Sequence, residues 1–217
     1  MKLGIDKRTA SRLYTAVALG DLVKIKTYTT LMFATACFMA AAPALKAQAM
    51  PKPTDEKRTV TQVLDHTLSN IESEFVPAAE AMPEDKFSFA PTAGEFKGVR
   101  TFAQQVKHVA AVNYLIAGAI LEEKPPADVG GESGPDSVTS KADIVKYLKD
   151  SFAYAHKADM SINEGNSVTT VKSPFGEGRV TRLGLATIIA THCMDHYGQM
   201  AVYLRMNSIV PPASRGQ

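Results

Sequence analysis

Cysteine is scarce in this chain: Cys37 and Cys193 are the only two among 217 residues. Cys37 falls in an N-terminal segment read below as removable, which leaves Cys193 without a partner in its own chain. The fold therefore cannot lean on an internal disulfide, even in an oxidising compartment. Long apolar runs are missing too. The N-terminal candidate, Leu31 to Ala42, has 12 residues, short of the roughly 20 a membrane-spanning helix needs. Nor is there a large excess of one charge. The formal net charge is +2, and seven of the 24 basic residues but only two of the 22 acids lie in residues 1–49. Subtraction leaves 17 bases and 20 acids in 50–217. A mildly acidic domain does not call for nucleic acid as a partner. Gly130-Gly131 lacks the spacing of a phosphate-binding loop, and no repeat or low-complexity segment is visible.

The N-terminal charge has its own explanation. Lys24 and Lys26 precede the apolar run, and Ala47-Gln48-Ala49 places small residues where a signal peptidase reads them. Basic, apolar, small is the order of a secretory signal. Residues 1–49 are thus expected to be a leader and signal peptide, and 50–217 a single domain. Cleavage after Ala49 would place that domain in the periplasm or outside the cell, with no stable membrane span. An uncleaved N-terminal anchor is the alternative.

Four helical patterns follow. Thr54 or Asp55 can cap a first helix reaching about Ala81, with Val60, Leu64, Leu68, Ile71 and Phe75 in one stripe. Prolines and glycines break residues 82–98, where Phe87, Phe89 and Phe96 are expected to pack over one end of the core. A second helix spans about Arg100 to Glu123, with Phe102, Val106, Val109, Val112, Ile116 and Ile120 as its apolar arc. Ser140 caps a third, lined by Ile144, Tyr147, Leu148, Ser151, Ala155 and Ile162, with Gly165 as its stop. Thr181 caps a fourth, running to about Asn207. Val168 to Val171 has the composition of a short extended stretch. Four helices without convincing strands make an all-α four-helix bundle.

The fourth helix carries the unusual feature. Thr191-His192-Cys193-Met194-Asp195-His196 sets two histidines four residues apart, on one helical face that should be buried. Burying two imidazoles together costs free energy unless both are satisfied. A divalent metal does this, and so does hydrogen bonding within the core. The best third ligand is His108, at the edge of the second helix's arc; a lone histidine there is otherwise a satisfied core residue. Three nitrogens with an open position are how catalytic zinc is usually held. The motif is not the zincin His-Glu-x-x-His, because Cys193 stands where that motif's general base would be. Cys193 lies about 100° around the helix from His192 and reads as a packed thiol. His66 and His156 read as surface residues. Asp159 is either a half-exposed acid or a group near the metal.

From about Thr59 to Pro212 the chain resembles the DinB family of four-helix-bundle metalloproteins. The resemblance is carried by Met82-Pro83-Glu84-Asp85-Lys86-Phe87 after the first helix, by Gln104-Gln105-Val106-Lys107-His108 in the second, and by His192 to Arg205 with Pro211-Pro212 at the end. It implies an up-down-down-up bundle and a metal triad at His108, His192 and His196. The ion it implies is divalent, often zinc or nickel, and the assembly frequently a homodimer. Relatives and neighbours of the family include thiol S-transferases, a thiol-dependent isomerase and metal-dependent hydrolases. The expected function is therefore metal-dependent activation of a thiol or water on a small-molecule substrate. A non-catalytic, stress-related bundle that binds a metal or small molecule is the alternative. No residue stands out as a catalytic base, though Gln199 and Tyr203 share the arc. An export signal departs from the family pattern.

Export predicts a specific mature end. Intact mass and N-terminal sequencing of the chain from a secreting host should find Met50-Pro51-Lys52 first. A chain retaining Lys24 and Lys26 would instead establish the anchor.

Overall fold

The computed structural model of the protein describes residues 56–216. The expected signal segment and the caps at Thr54 and Asp55 lie outside the described residues. Four helices account for most of the rest: α1 Val60–Ala81, α2 Phe102–Leu121, α3 Lys141–Met160 and α4 Arg182–Met206. Short 3-10 turns occupy Glu84–Lys86 and Pro212–Ser214, and a small hairpin, β1 Thr170–Lys172 with β2 Arg179–Thr181, precedes α4. Among the described residues, no helix is long and apolar enough to cross a membrane.

Each helix begins at a side-chain cap. Thr59 accepts from the Gln62 main-chain N–H while the Gln62 side chain accepts from Thr59, a reciprocal capping box; Thr101 and Gln104 repeat it at α2. Residues 56–59 therefore precede α1, which begins later than a cap at Thr54 or Asp55 implies. Ser140 and Thr181 cap α3 and α4 as their sequences imply. The third helix stops at Met160, before the expected Gly165. There Asn163 and Asn166 fold the chain into a turn, with the Asn166 amide donating to the Ser161 carbonyl at 2.9 Å. The extended stretch is real but shifted, and it has a partner strand that composition alone did not mark. Thr170 pairs with Thr181 and Val171 with Val180.

The bundle is up-down-down-up. The N-terminal ends of α2 and α3 meet at the same end: Lys141 stands over the Phe87 ring, and the Ala103 N–H donates to the Phe87 carbonyl. At the other end Glu123, just past α2, meets Tyr154 and Lys157 of α3. Those two helices run parallel, so their connection, residues 122–140, must travel the length of the bundle. Antiparallel α4 starts where α2 ends, with Arg182 on Glu122, and finishes where α2 starts, with the Tyr203 hydroxyl donating to the Arg100 carbonyl. The four apolar stripes meet in one core, in which Phe75, Phe102, Phe152 and Leu148 are fully buried. Phe87 is buried there and Phe89 packs edge-on against Tyr203, but Phe96 is exposed.

Two polar residues differ from expectation. His156 is not a surface residue: Asp65 and Glu72 of α1 flank its two ring nitrogens at 2.6 and 3.2 Å, tying α3 to α1. Asp159 is neither half-exposed nor close to the fourth-helix histidines. It is 3% exposed, one carboxylate oxygen has no hydrogen-bond partner, and burial beside Asp65 pushes its pKa up to about 7, with His156 opposing. The native state thus holds a proton that the unfolded chain releases near pH 4. This contribution is full below about pH 4 and is lost as pH rises through 7. Asp159→Asn should accordingly stabilise the fold at pH 8, by on the order of a few kcal/mol, and do much less at pH 5. Urea unfolding at the two pH values measures this, and an equal effect at both would contradict the account.

Candidate metal centre

Helices α2 and α4 pack side by side, and the three histidines expected as ligands face one another across that contact. His108 and His196 are buried and His192 is partly buried. The Nε2 atoms of His108 and His192 are 3.0 Å apart, and ring centroids are separated by 4.5–4.9 Å. One ligand atom from each lies within 4.8 Å of the others, and among the described residues no fourth histidine, cysteine or carboxylate joins them. Three imidazoles so placed can hold one metal ion.

The orientation of the rings is set from behind. His108 Nδ1 donates to the main-chain carbonyl of Glu132, in the long crossover. That contact depends on a glycine. Gly134 has φ +75°, and a Cβ there would lie 3.0 Å from Lys107 Cβ, so only glycine lets the crossover lie this close to α2 beside His108. His196 Nδ1 donates to the Gln105 side-chain oxygen. The Gln105 amide donates in turn to Gln199 at 2.9 Å, and the Gln199 amide to Asp195 at 3.1 Å. With both Nδ1 protons engaged, the Nε2 lone pairs of His108 and His196 point into the cluster, the tautomer metal-binding histidines adopt. His192 Nδ1 is buried without a partner.

Burial also keeps the rings neutral. Desolvation lowers the pKa of His192 to about 3 and of His196 to about 4, with the neighbouring imidazoles and Arg100 adding repulsion. His108 is lowered for the same leading reason, against the opposing bond to Glu132. Neutral imidazoles, two of them with Nε2 lone pairs turned inward beside His192, are a donor set for a cation. Cys193 is packed in the core, its Sγ 3.5 Å from Asn113, and burial pushes its pKa up to about 12. Tyr203 is committed to the Arg100 carbonyl and Gln199 to Gln105 and Asp195, so neither is a free acid or base. Gln105 was visible three residues before His108 on the same helical face. The Glu132 carbonyl, as a main-chain atom, leaves no mark in the sequence.

The sequence profile of the DinB superfamily matches residues 38–200. Solved structures share the fold. A DinB-like protein from Bacillus cereus superposes with a TM-score of 0.59 at 13% identity, covering 72% of this chain and 98% of its own. A conserved protein from Enterococcus faecalis gives 0.55 at 18%, covering 69% and 98%. A DinB-like protein from Bacillus subtilis gives 0.51 at 20%, covering 68% and 92%. No curated protein matches the chain.

The hydrogen bond from His196 can be tested without any metal. Gln105→Met keeps the bulk but strands the Nδ1–H, which should cost about 1–3 kcal/mol in urea unfolding. The His196 ring ¹⁵N shifts should lose their fixed Nδ1–H pattern while those of His108 keep it.

Proposed function

The chain belongs to the DinB superfamily, and from that premise we propose that it is an exported metal-dependent enzyme. In this reading His108, His192 and His196 hold one divalent ion, zinc or nickel, and the site acts on a small molecule by activating a thiol or water. The observation that carries the reading is the convergence of three neutral imidazoles with no fourth protein ligand among the described residues. Purely structural zinc sites are normally closed by four protein ligands, whereas catalytic sites keep one position for water or substrate.

The residues fit such an ion chemically. His108 and His196 present Nε2 lone pairs that the Glu132 carbonyl and Gln105 hold in place. His192 completes the set. When bound, a divalent ion acidifies a coordinated water or thiol and polarises a substrate carbonyl. The protein's part is orientation and exclusion of bulk water by the α2–α4 contact. Cys193 cannot supply the thiol, because it is buried and protonated at neutral pH. A thiol mechanism would therefore draw its sulfur from a small-molecule cosubstrate.

Metal analysis of the untagged protein tests the site. Near one equivalent of zinc or nickel is expected in the wild type and almost none in a His192→Ala, His196→Ala variant. No metal in either protein, even after both ions are supplied, would overturn the proposal. A metal-replete protein that turns over neither thiol-transfer nor hydrolysis substrates would favour the non-catalytic alternative.

A further inference from the structure

Arg100 is a charge the bundle leaves unanswered. It stands just before α2, next to the cap Thr101, and is half-buried. Among the described residues its guanidinium forms no ion pair and no hydrogen bond; its main-chain carbonyl alone is engaged, by Tyr203. The other arginines of the bundle are occupied: Arg182 on Glu122, Arg179 on Thr170, Arg205 on Ser214 and Arg215 on the Val210 carbonyl. Among the described residues only exposed Arg58, ahead of α1, is comparably free. A guanidinium partly withdrawn from water and left unpaired is costly unless something else pairs it.

Its surroundings indicate what that is. Gln104 and His108 stand one turn apart on one side of α2, and Arg100, just ahead of the helix, shares a cleft with Gln104. A cleft of about 350 Å³ is lined by Gly98, Val99, Arg100, Gln104 and Ser133. No carboxylate side chain lines it. Gln104 uses its oxygen to accept from the Thr101 N–H at 2.8 Å, which leaves its amide N–H groups as donors. Ser133 adjoins Glu132, whose carbonyl holds His108. The Arg100 charge reaches all three imidazoles, adding to the repulsion that keeps them neutral. The cleft thus combines one planar cationic fork with neutral donors, beside the candidate metal centre. One unpaired charge matches a monoanion, and the guanidinium fork matches a carboxylate by two parallel hydrogen bonds.

We propose that Arg100 binds the carboxylate of a small-molecule ligand in this cleft and so directs the rest of that ligand toward His108, His192 and His196. The assignment of a reactive end rests on the metal-centre reading; the carboxylate site itself does not require the ion. Arg100 is then a specificity-determining residue, and the substrates in question are small carboxylic acids.

Propionate, propionamide and inorganic phosphate serve as probes of the full-length protein, metal-free and zinc-loaded, by calorimetry and by NMR of the arginine Nε–H groups. Propionate should bind in both metal states and shift the Arg100 resonance, and propionamide should not. R100Q should weaken propionate binding about tenfold or more with zinc stoichiometry unchanged. Should R100Q fail to fold, the same weakening is read from R100K, which keeps the charge but loses the fork. Persistence in metal-free protein excludes direct coordination of propionate to zinc. Equal propionate affinity with and without Arg100, no propionate binding, or tighter binding of phosphate would each overturn the proposal. Arg100-dependent binding in a protein that takes up no zinc would leave it standing while sinking the metal reading.

Discussion

Two oxygen atoms decide what the three imidazoles can do. The Glu132 carbonyl and the Gln105 side chain each take an Nδ1 proton, and by doing so turn the Nε2 lone pairs of His108 and His196 toward each other and toward His192. Without these acceptors the rings could adopt either tautomer and satisfy one another as a hydrogen-bonded core cluster. With them, two Nε2 lone pairs share a small, water-poor space with the His192 ring. Desolvation forbids relief by protonation, since it drives the histidine pKa values down. The arrangement is most economically completed by a cation.

The bundle topology supplies both oxygens. Gln105 is available because α2 and α4 are neighbours over their whole antiparallel length, which brings the fourth-helix histidines level with the first turns of α2. The Glu132 carbonyl is available because α2 and α3 run parallel. Parallel helices cannot be joined by a tight turn, so residues 122–140 must return along the bundle, and on the way they cross α2 beside His108. Gly134 lets the crossover come that close. The connection demanded by the topology thus also orients a candidate ligand.

Much of this was legible in the residues themselves. The stripes through Leu68, Ile71 and Phe75, or through Val106, Val109 and Ile116, repeat every three or four positions and became the core. Spacing placed His192 and His196 on one face, and Cys193 beside them reads and packs as a core thiol. What escaped was tertiary. His156 looks solvent-facing on its own helix, but α1 brings Asp65 and Glu72 to both sides of its ring. Asp159 is buried by a neighbour that its own helical pattern does not reveal. Arg100 sits outside any helical stripe, so only the structure shows that no acid answers it. The first helix starts at Val60, behind a capping box of Thr59 with Gln62.

The spacing of the histidines along the chain has a kinetic consequence. His108 and His192 are 84 residues apart, with α3 and the hairpin between them. Closing so long a loop carries an entropic cost that grows only slowly with length, but it must be met before the two helices reward it with contact. An ion bound by His192 and His196 alone cannot nucleate the bundle. It gains its third ligand only once α2 and α4 have docked, so an ion at this site would act late in folding, slowing escape from the finished structure more than speeding its formation.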